Sequence, residues 1–413
     1  MTKASMERPP PKPKFPRHLA SATRREADPD AQAPPALVRP PVARKGRGAV
    51  SNLQGRFEHD QREAFDDGWG AVPEDAATTP EAVTGADDAP LPPLRTEVHL
   101  ERARSVLTRN ASPDVPFDVS LNPYRGCEHG CIYCFARPTH AYLDLSPGLD
   151  FETRLYAKAN AAERLREVLS RSSYRCETIA LGVNTDAYQP IEREQRITRS
   201  LLEVLHECDH PVALITKSSL IERDIDLLAP MAAKRLAVAA LTITTLDAGI
   251  ARTLEPRAAT PSRRLRTIRT LTDAGIPVGV SIAPVIPFIT EPDLERVLQA
   301  AREAGAVYAN YIVLRLPWEV RPLFEEWLQA HFPDRAERVM NRVRDMREGK
   351  AYDASFATRM RGTGVWADLL RQRFYKAAER LGFRYNRFEL DTSRFRPPAA
   401  APSGKDDPQG SLF

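Results

Sequence analysis

Residues 122–140 read NPYRGCEHGCIYCFARPTH and place three of the chain's five cysteines within one short segment. Cys127, Cys131 and Cys134 form the spacing C-x₃-C-x₂-C. Thiolates are soft ligands that suit zinc or iron–sulfur clusters. Five cysteines, an odd number in a chain of 413 residues, are typical of thiol or metal chemistry rather than of a disulfide scaffold. The segment therefore predicts a metal centre.

The spacing favours an iron–sulfur cluster over zinc. Structural zinc takes four ligands, and His129 or His140 is available as the fourth. The usual zinc signature, however, has two paired C-x₂-C motifs, and the chain contains no second pair. A cubane cluster normally takes four cysteines, so three leave one iron open to another ligand. Zinc and a bare reactive-thiol site stay open as alternatives.

Around this loop, apolar runs alternate with helical patterns. The strand-like runs are residues 116–124, 178–183, 211–216, 235–246, 277–287 and 306–317, and the helix-like segments are 161–172, 197–208, 222–233, 262–275 and 291–305. Six strands alternating with helices predict one parallel sheet with right-handed crossovers. We expect an α/β fold, a partial (β/α)₆ barrel with a helical C-terminal extension; a flat doubly wound sheet is the alternative. In either case ligands bind at the carboxyl ends of the strands.

Composition divides the chain into four regions. Fifteen of the 36 prolines fall in the first 93 residues, so residues 1–95 are predicted to form a disordered tail. A barrel core at 96–330, a helical subdomain at 331–396 and a flexible tail at 397–413 complete the prediction. No apolar run is long enough for a membrane helix, so we expect a cytoplasmic protein without membrane contact. The net charge of +4 is too small to indicate nucleic-acid binding by itself.

The cysteine motif resembles that of the radical S-adenosylmethionine (SAM) enzymes, which carry an aromatic residue before the third cysteine, as Tyr133 stands here. The resemblance implies a [4Fe–4S] cluster held by the three thiolates, with SAM bound to the fourth iron. One electron from the cluster would cleave SAM to a 5′-deoxyadenosyl radical, which abstracts hydrogen from a substrate. A low-potential electron donor of the flavodoxin or ferredoxin type is implied as a partner.

Segments beyond the loop resemble the spore-photoproduct-lyase-like branch of these enzymes. They are residues 182–192, 214–224, 254–271 and 281–287. The resemblance implies that the SAM contacts come from Tyr133, Thr185, Asp186, Lys217, Ser218, Glu255, Arg257 and Ser281. Most have a plainer interpretation: a turn around Thr185 and Asp186, a solvated Lys217, an ion pair at a helix entry for Glu255 or Arg257, and a hydrogen bond within the sheet for Ser281. The loop residues Arg125 and His129 would tune the cluster or lie on the surface. No catalytic residue is assigned.

The branch makes nucleic acid the leading substrate class. One departure matters: photoproduct lyases carry a cysteine just before the position of Thr185, and this chain has Asn184. Thymine-dimer repair is therefore not expected unless Cys176 reaches the site. The C-terminal region mixes basic and aromatic residues, typical either of a nucleic-acid surface or of an amphipathic helix: Arg371, Arg373, Lys376, Arg380, Arg384, Arg387, Phe374, Tyr375, Phe383, Tyr385 and Phe388.

Two other functions stay open. The same radical chemistry could modify a peptide or a small molecule. Alternatively, the chain is a non-catalytic protein, stapled by a metal or an iron–sulfur cluster, that binds nucleic acid or senses redox state.

Overall fold

The computed structural model describes residues 43–57, 94–384 and 389–398. The remainder of the predicted N-terminal tail and the predicted tail beyond residue 398 lie outside this part of the chain. The strands are β1 (Glu97–Glu101), β2 (Leu107–Arg109), β3 (Val119–Leu121), β4 (Tyr124–Arg125), β5 (Arg154–Lys158), β6 (Ile179–Leu181), β7 (Val212–Thr216), β8 (Ala237–Thr242), β9 (Val278–Val285) and β10 (Tyr308–Val313).

The helices alternate with these strands. They are α1 (Asp150–Thr153), α2 (Ala161–Leu169), α3 (Glu192–Gln195), α4 (Ile197–Glu207), α5 (Ile225–Ala233), α6 (Ala248–Leu254), α7 (Pro261–Asp273), α8 (Leu294–Glu303), α9 (Val320–His331), α10 (Pro333–Asp345) and α11 (Gly364–Arg380). Among the residues described, no helix combines the length and apolar character needed to span a bilayer.

The main sheet contains seven strands in the order β10-β9-β8-β7-β6-β3-β2. Six of them, from β3 to β10, are parallel and lie side by side in chain order, while β2 pairs antiparallel with β3 at the edge. A doubly wound sheet reverses its strand order near the middle, and this sheet does not. The α/β fold with a partial barrel of six parallel strands is therefore confirmed, and the doubly wound alternative is excluded.

Each of the six apolar runs became one of these parallel strands. The reason is burial: strands covered on both faces read as nearly continuous apolar sequence, as in β8, AVAALT. A glycine marks the end of α7. Gly275 has φ of +78°, and its N–H donates to the Thr272 carbonyl at 2.9 Å, which ends the helix.

A second, smaller sheet positions the cysteine loop. It has the order β1-β5-β4, and β4 ends at Arg125, two residues before Cys127. β3 and β4 are separated by only two residues, so the loop leaves the carboxyl end of the first barrel strand and is fixed from the side by β5. Sequence reasoning did not predict β1 or β5.

The C-terminal helices pack onto the barrel and close the core near the cysteine loop. One hydrophobic cluster joins Ile132 and Tyr133 of the loop to Leu316 and to the buried Trp327 of α9. The indole N–H of Trp327 donates to the Thr253 carbonyl at 3.0 Å, which ties α9 to the end of α6. The extension is helical, as predicted, and it shares its core with the barrel.

Candidate functional site

The cysteine loop is held by backbone hydrogen bonds on both sides. The N–H of Cys127 donates to the Phe151 carbonyl at 2.9 Å, and that of Ile132 donates to the Leu254 carbonyl at 3.1 Å. The cysteines are free thiols; Cys127 and Cys131 are buried and Cys134 is partly exposed. These contacts place the three sulfur-bearing residues on one fixed turn at the carboxyl edge of the barrel.

A buried ion pair between Arg137 and Glu152 packs against the cysteine loop and holds its backbone. Arg137, with no exposed surface, donates to the carbonyls of Gly130 and Cys131 at 3.1 and 2.9 Å and to the carboxylate of Glu152. It also donates to two carbonyls of residues 147–148 at 3.1 and 2.9 Å. A guanidinium has five N–H donors, and protein oxygens accept all five hydrogen bonds from Arg137. Sequence reasoning missed both members of this pair.

Residues 43–57 pack against the same pair rather than lying in a tail. The N–H groups of Gly48 and Ala49 donate to the Glu152 carboxylate at 3.0 and 2.8 Å, and Arg47 donates to the Glu152 carbonyl at 2.8 Å. A Cβ at Gly48 would lie 1.8 Å from the Gly130 carbonyl oxygen, so only glycine fits there. We call residues 43–57 the N-terminal strap. Composition predicted a tail here because the carboxylate that anchors the strap lies about a hundred residues further along the chain.

Gln189 and Arg257 hold the first half of the loop. The fully buried side-chain amide of Gln189 accepts from the Glu128 N–H at 2.8 Å and donates to the Gly126 carbonyl at 3.2 Å. The Arg257 guanidinium lies 3.0 Å from the Glu128 carboxylate. Arg257, predicted to contact SAM, therefore forms an ion pair with the loop itself in this structure.

Asp186 joins the ends of β6 and β7 to the loop. Its carboxylate accepts from the Thr216 hydroxyl at 2.7 Å and the Lys217 N–H at 2.8 Å, and it lies 3.2 Å from Nδ1 of His129. Burial alone would raise the pKa of Asp186, but the imidazole and these donors outweigh burial and hold that pKa well below its usual range. Asp186 and His129 thus fix the loop to the strand ends, which is a positioning role that sequence reasoning did not foresee.

Glu255 forms the centre of a second buried network. It accepts from the Tyr133 hydroxyl on one carboxylate oxygen and from the Arg264 guanidinium on the other. Arg264 also donates to the carbonyls of Ala259 and Thr242, at 2.7 and 2.8 Å. This network locks the tyrosine that precedes Cys134.

The ammonium of Lys217 faces the cysteine loop. It lies 5.8 Å from the centre of the Tyr133 ring, and among the described residues no hydrogen bond from its Nζ is formed. Burial works to lower the pKa of Lys217, but the charges of Cys131, Glu255 and Asp186 outweigh burial and raise it. Lys217 is therefore a cation held beside the thiols and available to an anionic group.

The other predicted SAM contacts are engaged within the fold. The Thr185 hydroxyl donates to the Tyr124 carbonyl at 3.0 Å, and the Ser218 hydroxyl accepts from the Leu220 N–H at 3.1 Å, which caps the following 3₁₀ turn. Ser281 is buried on β9, in register with Thr242 of β8. The structure thus brings Tyr133, Lys217 and Glu255 together beside the cysteines and gives Thr185 and Ser218 local partners.

The donor set fits an iron–sulfur cluster better than zinc. Within the described part of the chain, no three His, Cys, Asp or Glu side chains converge as ligands of one metal ion would. The histidines considered as a fourth zinc ligand have other contacts: His129 with Asp186, and His140 with the Arg154 carbonyl at 2.9 Å. The thiolates of a cubane bind separate irons and need not converge on one point, so three thiols on one rigid turn suit it.

The two remaining cysteines lie away from this edge. Cys176 precedes β6, so it sits at the amino end of a strand whose carboxyl end carries the site. It therefore does not substitute for the cysteine that Asn184 replaces. Cys208 is buried in the hydrophobic core at the end of α4.

The C-terminal basic and aromatic residues mostly serve the fold. Phe374 is buried against Tyr311 with ring centres 4.7 Å apart, and Phe383 is also buried. Arg373 pairs with Glu291 and Glu295. These contacts are those of an amphipathic helix packed on the barrel. Tyr385, Arg387 and Phe388 lie outside the described residues.

Comparison with known proteins finds a family match for the central part of the chain. Residues 121–301 match the model of the radical SAM superfamily. An uncharacterized protein of Mycobacterium tuberculosis is 38% identical over 226 residues, which cover 54% of this chain and 66% of the relative. An uncharacterized protein of Methanocaldococcus jannaschii is 24% identical over 224 residues, covering 54% of this chain and 80% of the relative. The match thus spans just under two thirds of the mycobacterial relative.

Among solved structures, a complex of spore photoproduct lyase with a dinucleoside spore photoproduct aligns with a TM-score of 0.46 and 15% identity, covering 69% of this chain and 80% of that chain. A radical SAM methyltransferase, TsrM from Kitasatospora setae, aligns with a TM-score of 0.35 and 16% identity, covering 53% of this chain and 42% of that chain.

Proposed function

We propose that this chain, whose residues 121–301 match the radical SAM superfamily, is an enzyme that uses a [4Fe–4S] cluster to cleave SAM reductively. Cys127, Cys131 and Cys134 would hold the cluster. When bound, the cluster would supply the electron that breaks a carbon–sulfur bond of SAM, and the resulting 5′-deoxyadenosyl radical would abstract hydrogen from the substrate.

One observation carries this proposal: the three free thiols lie on a turn fixed on every side by buried contacts. Arg137 binds two of the loop carbonyls, Gln189 binds the loop backbone before and after Cys127, and Asp186 reaches the loop through His129. A zinc-stapled or surface loop has no need of so many buried polar groups, each of which costs desolvation. A cluster whose open iron must meet a bound cofactor needs this rigidity.

Lys217 is the residue we assign to the carboxylate of SAM. Its ammonium makes no hydrogen bond within the described residues and lies beside Tyr133 and the thiols. Asp186 and Glu255 are each held by several protein donors, so we assign them the positioning of His129 and Tyr133 respectively. We retain four further proposed SAM contacts: Thr185, Ser218, Arg257 and Ser281. The first three already have partners in the protein, so they rank behind Lys217.

The reducing electron would come from another protein. The chain has five cysteines, three of them in the loop, and the other two are too few for a second cluster. We therefore propose a low-potential donor of the flavodoxin or ferredoxin type. For the substrate we propose nucleic acid, on the resemblance of the loop and strand-end segments to the photoproduct-lyase-like branch.

The test is anaerobic turnover. The full chain is reconstituted with iron and sulfide, supplied with SAM and dithionite, and assayed for 5′-deoxyadenosine. We expect product from the wild type and from Cys176→Ala, a matched control that removes a thiol from the opposite edge of the sheet. We expect none from Cys134→Ala. Equal product formation by both variants, or tightly held zinc in place of iron, would contradict the proposal.

A further inference from the structure

A cavity of about 540 Å³ lies between the start of α9 and the end of α10. It is lined by Leu316, Trp318, Arg321, Arg344, Gly349, Lys350, Ala351 and Tyr352. Leu316 packs in the hydrophobic cluster that contains Ile132 and Tyr133 of the cysteine loop, and it follows the carboxyl end of β10. One wall of the cavity therefore lies at the carboxyl edge of the barrel, the edge that carries the cysteines.

The charge of this cavity is entirely positive. Its lining includes three cations and no acidic residue. Arg321 is partly neutralised by Glu325 at 3.0 Å, but within the described residues neither Arg344 nor Lys350 lies at ion-pair distance from a carboxylate. Arg344 also offsets the dipole of α10, whose last turn it occupies, but that role does not apply to Lys350 in the loop beyond. The charge of Asp353 acts on Lys350 from beyond ion-pair distance, so both cations keep room for an anion in direct contact.

The cavity also presents aromatic surface. Trp318 is 61% exposed, an unusual state for an indole, and its backbone has φ of +46°, a strained conformation for a residue with a side chain. The guanidinium of Arg56, from the N-terminal strap, lies 4.2 Å from the ring centre and is itself fixed by Glu319 at 2.7 Å. Tyr352 also lines the cavity. A ring held in this way is suited to stacking on a planar ligand.

The loop that carries Lys350 is anchored to the end of the barrel. Arg347, which is buried, donates to the Leu314 carbonyl at 3.0 Å and to the Thr358 and Arg359 carbonyls at 3.0 and 2.9 Å. The buried guanidinium thus joins both ends of the loop to the residue that follows β10. The backbone that carries Lys350 is therefore fixed before a ligand binds, which lowers the entropy cost of binding.

We propose that this cavity is a nucleotide-binding site, in which Arg344 and Lys350 contact a phosphate and Trp318 stacks on the base. The ligand is a nucleotide, either free or as one unit of a single-stranded nucleic acid. The inference deepens the proposed function by giving its substrate class a location, and it rests on the proposed function only for the claim that the bound nucleotide is a substrate. Binding itself is measured without SAM cleavage.

The experiment is fluorescence anisotropy of a labelled single-stranded oligonucleotide with the full, cluster-loaded chain under anaerobic conditions. The test variant is Arg344→Ala/Lys350→Ala. The matched control is Arg371→Ala/Lys376→Ala, which removes two exposed cations from α11 with the same change of net charge. We expect the test variant to bind about tenfold more weakly or worse. Its slope of log affinity against log salt should become shallower by about 0.7, the contribution of one phosphate contact on a single strand. The control should match the wild type.

Competition separates the two sources of the nucleotide. If unlabelled AMP displaces the oligonucleotide and adenosine does not, the site takes a single nucleotide through its phosphate. If AMP fails to compete but the test variant still loses affinity, the site takes a nucleotide within a strand. Trp318→Leu should weaken binding in both cases. The loss of about 1–3 kcal/mol of stacking corresponds to a roughly five- to 150-fold weaker affinity. Absence of binding by oligonucleotide and AMP, or equal loss in the control, would overturn the inference whether or not SAM is cleaved.

Discussion

Substitution of Arg137 by methionine tests the buried support of the cysteine loop. Methionine has a similar length but cannot donate a hydrogen bond. The change therefore leaves the Glu152 carboxylate buried without its cation and releases the carbonyls of Gly130 and Cys131. The N–H groups of Gly48 and Ala49 still bind the carboxylate, so part of its compensation remains.

The expected magnitude follows from burial. Both members of the pair have no exposed surface, and breaking a buried ion pair by removing one partner costs about 3–5 kcal/mol. A matched control is Arg166→Met, which breaks a bidentate pair with Glu207 at 2.7 and 2.6 Å on the exposed faces of two helices. Exposed pairs contribute about 0–1 kcal/mol, so the control should cost no more than that.

The assay is urea unfolding of the cluster-free protein, followed by circular dichroism, together with iron content after reconstitution. Arg137→Met should lower the free energy of unfolding several-fold more than Arg166→Met and should retain less iron. If both variants lose about 1 kcal/mol or less and load the cluster equally, the reasoning about the loop support is wrong.

Three further changes test other parts of the site and fold. Lys217→Met should weaken SAM binding by about ten- to a hundredfold in calorimetry while iron content stays unchanged, because a charge-assisted hydrogen bond of about 1.5–3 kcal/mol is lost; unchanged affinity would remove Lys217 from the SAM site. Gly130→Ala should prevent cluster loading, because its Cβ would lie 2.7 Å from the carboxylate beneath the loop, whereas Gly275→Ala, also at positive φ but in open space, should cost about 1 kcal/mol and load normally. Burial lowers the pKa of His210 to about 4, so the imidazole stays neutral and accepts from the Tyr174 hydroxyl at 2.7 Å. The free energy of unfolding should therefore fall by about 3 kcal/mol as pH drops from about 6.5 to 4 in urea titrations, and His210→Phe should lose that dependence.

The parallel strands could be predicted because each is a local pattern. A strand buried on both faces must be apolar throughout, as β7 (VALIT) and β8 are, and no distant residue is needed to recognise it. The cysteine spacing was equally local. The short strands β1 and β5 could not be found in this way, because they pair with each other across more than fifty positions of the chain. Their sequences, EVHLE and RLYAK, also mix apolar residues with charged ones and so lack a continuous apolar run.

The sequence predicted where several site residues would lie but not what their side chains would do. Asp186 was expected at the edge of the sheet and lies there, but its carboxylate holds His129 and the end of β7. The donors to this carboxylate come from other segments of the chain, so its partners cannot be recognised from the local sequence. Arg137 and Glu152 gave no signal, because a buried ion pair is recognisable only once both side chains are known to be buried.

The most direct test of the account is the electron paramagnetic resonance spectrum of the reduced, reconstituted protein, recorded with and without SAM. The account predicts a [4Fe–4S]⁺ signal that shifts when SAM is added, because Cys127, Cys131 and Cys134 leave one iron free to bind it. The signal of Lys217→Met should need more SAM for the same shift. A cluster signal that SAM does not change at any concentration, or a protein that binds no iron, would contradict the central claim.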